Sequence, residues 1–215
     1  MTIEGLLGYG LENTDRVALL LLQHVELFAV SMLLAIATGL ILGPLIASPR
    51  FHRHASAVLS VLSATQAVPP VAVIALAFLF AGIGALPVIL ALYLYGIVPV
   101  LFNTVSGLTS VSESVIRAGR GMGLTEMQIL FRIQFPIAGS VIMAGIRSAA
   151  TINIGAATIA SIIGGGGLGD LIFMGLKLYR IDMIFTGAIL CALLALFVDA
   201  ILASIARSMN RWSAA

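Results

Sequence analysis

Three ionisable side chains, Glu26, Arg147 and Asp199, sit inside long apolar runs, where a charge is costly unless it is paired or used. Two close acids could share general acid–base work, but Glu26 and Asp199 are far apart in the chain, and no nucleophile with a base accompanies them. His52 and His54 flank Arg53 in an H-x-H pattern that suits a metal. No third or fourth ligand is near in sequence, so an interfacial basic cluster is the simpler reading. Gly164, Gly166 and Gly169 satisfy G-x-G-x-x-G, which marks a dinucleotide site only between a strand and a helix of a βαβ unit. Here it follows an apolar run, which leaves a tight glycine turn or a mobile gate, with Gly167 inside it. No G-x-x-x-x-G-K-[ST] stretch occurs, so the chain cannot supply its own ATPase. These residues point to no catalytic centre, no metal site and no cofactor, and a membrane-embedded enzyme is a distant alternative.

The elements around them are apolar. Of 215 residues, 60% are hydrophobic and 9% charged, with a mean hydropathy of +1.15. A soluble domain carries roughly a quarter charged residues, so this is an integral membrane protein. The net charge of +2 is too small to suggest a nucleic-acid partner. Five runs are long enough to cross about 30 Å of hydrocarbon: 25–47, 57–80, 87–108, 137–161 and 183–205. In lipid they must be helices, which satisfy their own backbone. The expectation is an all-α membrane protein of about five spans. Residues 15–23, with Asn13 or Thr14 as N-cap, form either a surface helix or an extension of the first span. The N-terminus lacks the basic region of a signal peptide. Cys191, the single cysteine, reads as a small buried hydrophobe.

Basic residues set sidedness. Arg50, Arg53, Arg117, Arg120, Arg132, Arg207 and Arg211 share one side, whereas Arg16, Lys177 and Arg180 share the other. This places the N-terminus outside and the C-terminus in the cytoplasm. The expected divisions are an extracytoplasmic segment 1–24, a transmembrane domain 25–205 with a cytoplasmic loop 109–136, and a tail 206–215.

Several polar residues fall within the spans. Arg147 lies eleven residues after Pro136, and Asp199 eight before Arg207, a similar depth at which the two charges can pair. In "TQAVPPV", Pro69 and Pro70 break a helix beside Thr65 and Gln66. Such a break either lines a cavity or is a structural kink. Ser148, Thr151, Asn153 and Thr158 in the fourth run bond between helices or line a pathway. Gly39 and Gly43 form GxxxG, for packing within the chain or against a second copy.

The stretch "RAGRGMGLTEMQILFRIQFP", 117–136, interrupts the apolar pattern. Ser110–Glu113 and Thr125–Gln128 fit the capping box, Gly123 stands where a left-handed residue would end a helix, and Pro136 can stop or kink the next one. The stretch is a folded helix–turn–helix or a solvated basic loop.

Its spacing resembles the cytoplasmic signature of the membrane subunits of binding-protein-dependent ABC importers: E-A-A, three residues, G, nine residues, I-x-L-P. Here Arg117-Ala118-Gly119 is followed after three residues by Gly123 and after nine more by Ile133-Gln134-Phe135-Pro136. Arg117, Gly119 and Phe135 depart from the pattern. The resemblance covers about residues 25–205. "VIMAGIRSAATINIGAATIASIIGGGGLGDLIF", Phe102-Asn103-Thr104 and "LLALFVDAIL" are similar to the osmoprotectant group, importers of glycine betaine, carnitine, choline or similar quaternary amines. Methionine importers share GGLGD and are the closest competing subfamily. The resemblance implies a type I importer permease in a bacterial inner membrane. It implies a second permease chain, two ATPase subunits that bind ATP and Mg and grip Arg117, Ala118, Gly119, Gly123, Ile133 and Pro136, and a separate extracytoplasmic substrate-binding protein. Thr65, Gln66, Pro69, Thr151 and Asn153 are the pathway candidates. Gly164, Gly166, Gly167 and Gly169 are the outer turn.

Overall fold

The computed structural model describes residues 3–48 and 51–213. Arg50 lies outside the described residues, as do the side chains of His52, Arg53, His54 and Arg211. The chain is helical: α1 (Ile3–Glu12), α2 (Thr14–Ala47), α3 (His52–Thr65), α4 (Pro70–Ala81), α5 (Ala85–Thr109), α6 (Glu113–Gly121), α7 (Glu126–Ile129), α8 (Phe135–Ala157), α9 (Gly169–Leu178) and α10 (Ile181–Ser213). A π-helical turn (Leu130–Gln134) joins α7 to α8, and a 3₁₀ segment (Thr158–Ile163) follows α8.

Four continuous helical stretches are long and apolar enough to cross a membrane: Thr14–Ala47, Ala85–Thr109, Glu126–Ile163 and Ile181–Met209. The fifth run is two helices, α3 and α4, meeting at 91°. The expected run over 57–80 is therefore not one continuous helix but a pair bent at its middle. Neither the 14-residue α3 nor the 12-residue α4 reaches about 30 Å at about 1.5 Å per residue. The break follows from Pro69 and Pro70, which have no N–H to continue the ladder. Pro69 is extended at φ −59°, ψ 139°, and α4 starts with Pro70, where a missing N–H costs nothing.

α5 is central. Its buried residues pack against α2 on one side and α8 on the other, and Met32, Val100, Leu108, Ile142, Ile146 and Ala149 form one core cluster. The contact with α2 is close because of Gly39 and Gly43. A Cβ at Gly39 would lie 2.6 Å from Val100 Cγ1, and one at Gly43 would lie 2.3 Å from Thr104 Cγ2. The GxxxG stripe thus packs inside this chain. Thr104, fully buried, donates back to the Val100 carbonyl, so its hydroxyl needs no other partner.

α2 begins at Thr14, so residues 15–23 extend the first span, and the expected boundary at 24/25 falls within the helix. The bend before it, at Asn13, is tied by Asn13 Nδ2 donating to the Tyr9 carbonyl.

Candidate functional site

Residues 109–136 form a helical hairpin. Its start corrects the first expected capping box. Ser110 turns back to donate to the Gly107 carbonyl, and α6 starts at Glu113 after Ser112. The α6 terminus is a Schellman turn. Gly123 has φ +79°, its N–H donates to the Arg120 carbonyl, and the Leu124 N–H donates to the Gly119 carbonyl. The second capping box is complete: the Gln128 N–H donates to Thr125 Oγ1, while Gln128 Oε1 accepts from the Thr125 N–H. Arg120 spans the turn, its Nε 2.7 Å from Glu126 Oε1 and its second nitrogen 3.2 Å from Oε2. The two helices are thus fixed to each other by backbone, cap and ion pair.

Pro136 does not stop the second helix, a further correction. The helix widens before it: the Phe135 N–H bonds five residues back to the Leu130 carbonyl, and α8 continues from Phe135. The wide turn lets the proline enter without a break in the helix.

The hairpin has an inside and an outside. Gly119 is buried, and a Cβ there would meet Ile133 Cδ1 at 2.8 Å, Ile129 Cγ1 at 3.4 Å and Leu124 Cδ1 at 3.7 Å. Arg117, Ala118, Met122, Met127, Phe131 and Pro136 are exposed. Arg117 stands 3.9 Å from Glu113 at the surface.

Along α8, Ser140, Ala144, Ser148, Thr151 and Gly155 are exposed at successive steps of four, four, three and four, a single helix face. Beside it Arg147 and Asp199 of α10 form a two-point ion pair, with Nε to Oδ1 at 2.8 Å and the second nitrogen to Oδ2 at 2.9 Å. Both side chains remain 39% exposed. Asn153 is placed differently: it is fully buried against Gly96 of α5, whose added Cβ would be 2.7 Å from Nδ2. Neither of its amide atoms has a hydrogen-bond partner among the described residues.

At the break between α3 and α4, a cavity of about 230 Å³ is lined by Ser63, Gln66, Val98, Pro99, Phe102 and Asn103. Gln66 Nε2 donates to the Tyr95 carbonyl and Asn103 Nδ2 to the Pro99 carbonyl. Thr65 is exposed, donating to the Leu62 carbonyl, and Pro69 is exposed.

At the other end of the bundle, Gly164, Gly166 and Gly167 have φ of +73°, +75° and +90°, so the chain reverses between the 3₁₀ segment and α9. No βαβ unit surrounds this turn. Gln23 and His24 of α2 hold it. Gln23 Oε1 accepts from the Gly167 N–H at 3.2 Å. His24, fully buried, accepts the Leu168 N–H at Nδ1. An amide can only donate, so His24 carries its proton on Nε2, which donates to the Ile154 carbonyl at 3.1 Å. That carbonyl is available because Thr158 turns its N–H to Gly155 as the helix tightens. Among the described residues no group of three His, Cys, Asp or Glu side chains could hold a metal ion.

The family described as binding-protein-dependent transport system inner membrane component matches residues 26–211. The chain belongs to this family. It is 43% identical to the carnitine transport permease protein OpuCB of Listeria monocytogenes, over 87% of this chain and 85% of the relative. It is 38% identical to the osmoprotectant import permease protein OsmY of Salmonella typhimurium, over 94% and 88%. It is 35% identical to the choline transport system permease protein OpuBB of Bacillus subtilis, over 87% and 86%. In fold it matches a chain of an inward-facing MetNI methionine ABC transporter, with a TM-score of 0.79, 20% identity, and coverage of 91% of this chain and 97% of that one.

In this permease the signature residues divide by role. Gly119, Gly123 and Ile133 build the hairpin's interior and turn, while Arg117, Ala118 and Pro136 lie on its surface. The exchange of Arg for the usual Glu at 117 is therefore a surface change. Gln23 and His24 were not singled out in the sequence. The available signal was a Gln-His pair heading an apolar run.

Proposed function

We propose that this permease carries a quaternary amine such as carnitine, choline or glycine betaine across a bacterial inner membrane, driven by two separate ATPase subunits. It pairs with a second permease chain, a copy or a relative, and receives substrate from an extracytoplasmic binding protein. The N-terminus lies outside and the C-terminus and hairpin in the cytoplasm, as the distribution of arginines supports. The observation that carries the coupling role is the hairpin. Its turn, cap and Arg120–Glu126 pair hold an exposed surface at a fixed angle, so a push there reaches α8 through continuous helix. The named substrates of the relatives support the quaternary amine. The methionine alternative draws on the shared GGLGD element and on likeness of fold at 20% identity.

The face of α8 with Ser140, Ser148 and Thr151, beside Arg147 and Asp199, is the pathway wall in this reading. Polar groups at that depth cannot face lipid without loss. Thr65, Gln66 and Pro69 flank the second wall. Asn153 serves helix packing under Gly96 instead. Gly164, Gly166, Gly167 and Gly169 close the outer end, anchored by Gln23 and His24.

The test is uptake. Vesicles holding this permease, its co-purified ATPase and binding protein should take up radiolabelled carnitine, choline or glycine betaine with ATP. Uptake of methionine alone would transfer the chain to the competing class, and a preparation that captures no ATPase would remove the coupling role.

A further inference from the structure

The cavity at the broken span has an uncharged lining. None of its six residues is ionisable. Asn103 Nδ2 donates one N–H to the Pro99 carbonyl and Gln66 Nε2 one to the Tyr95 carbonyl, while no described hydrogen bond uses either amide oxygen. The backbone adds another acceptor. The carbonyls of Ser63, Ala64 and Thr65 take the N–H groups of Gln66, Ala67 and Val68. The Gln66 carbonyl has no such donor, because the residues three and four further on are Pro69 and Pro70. α3 therefore ends at the cavity with its negative pole, where a cation is favoured. Phe102, a lining residue 39% exposed, offers an aromatic ring. At about 230 Å³ the space is below the roughly 300–1,000 Å³ of drug-sized sites and suits a small ion.

We propose that this cavity is a low-affinity site for the quaternary ammonium group of the transported substrate, held by the Phe102 ring, the Asn103 and Gln66 amide oxygens and the carbonyl end of α3. It rests on the import reading above. A quaternary ammonium has no N–H to donate, so a diffuse negative field and a ring face suit it, whereas a primary amine also needs an acceptor for each of its N–H groups. The absence of a countercharge keeps the site weak, as a pathway site must be if substrate is to leave.

The experiment uses the purified full chain in lipid nanodiscs and two probes of the same shape: choline and its uncharged isostere 3,3-dimethylbutan-1-ol. Saturation-transfer NMR titration should show choline binding about tenfold tighter. Phe102→Leu should weaken choline by about fivefold or more and leave the isostere unchanged, while Phe102→Tyr retains most of the preference. Equal binding of the two probes to the wild-type chain would overturn the proposal without recourse to any variant, as would a choline affinity indifferent to Phe102→Leu in protein of unchanged melting temperature. Vesicle uptake separates the two readings. Choline binding at Phe102 without uptake of any quaternary amine overturns the import reading and keeps the site. Uptake unaffected by Phe102→Leu, with no binding in nanodiscs, overturns the site and keeps the import reading.

Discussion

Arg147 and Asp199, 52 residues apart in sequence, meet as a two-point ion pair between α8 and α10, half exposed on the same side as the polar face of α8. Each guanidinium nitrogen in the pair has its own carboxylate oxygen, the geometry that makes arginine differ from lysine. Removing one partner leaves the other charge alone at membrane depth. Arg147→Met or Asp199→Leu should each cut uptake about tenfold or more, and the double variant should recover much of it, because the loss comes from the orphaned charge. Uptake and membrane-inserted yield of all four proteins check this. Equal loss in the double variant would show that the charges act separately.

Gly123 sits at φ +79° with nothing within 4 Å of a hypothetical Cβ, so space is no obstacle and backbone conformation is. A side chain there costs about 1–2 kcal/mol, more if β-branched. Gly123→Val should leave insertion intact while uptake and substrate-stimulated ATP hydrolysis fall together. Gly121 also has open space around it but lies in α6 without a positive φ, so Gly121→Ala should be silent or slightly stabilising. The reverse order of damage would show that coupling does not depend on the left-handed turn at Gly123.

His24 spends both ring nitrogens on backbone groups, Leu168 N–H and Ile154 carbonyl. His24→Phe strips both at once, and about 1–3 kcal/mol of stability should go with them. The expected signs are a lower unfolding midpoint in nanodiscs and faster proteolysis within 164–169. A His24→Phe protein that melts and cleaves like wild type would mean that Gln23 alone anchors the turn.

Gly169 and Gly155 make a matched pair. A Cβ at Gly169 would lie 1.8 Å from the Thr158 carbonyl oxygen, a backbone atom that cannot yield cheaply, whereas Gly155 has nothing within 4 Å. Gly169→Ala should lower the unfolding midpoint by roughly 2–10 °C, and Gly155→Ala should hold or raise it. Thermal scans of both variants decide it.

The sequence by itself determined the class of protein, the apolar runs and, within the hairpin, the second capping box and the glycine turn. These depend on short-range physics: apolar length against bilayer thickness, Thr125 and Gln128 three residues apart, a glycine where the chain must turn left-handed. Proline at 69 and 70 marked the break in the second run but gave no angle, since removing an N–H releases a helix without steering it; in the folded chain the bend is 91° and α4 lies beside α5. Pro136 misled because the π turn at Leu130–Gln134, directly before α8, widens the helix and lets a residue without an N–H enter it. Burial of polar residues was decided only by tertiary structure. Asn153 and Thr151 stand two apart on one helix, yet one is sealed under Gly96 and the other exposed, because a helix turns about 100° per residue and only its neighbours say which side is covered. Gln23 and His24 gained their role from the Gly167 and Leu168 N–H groups, each 144 residues away, a distance that local pattern does not reach.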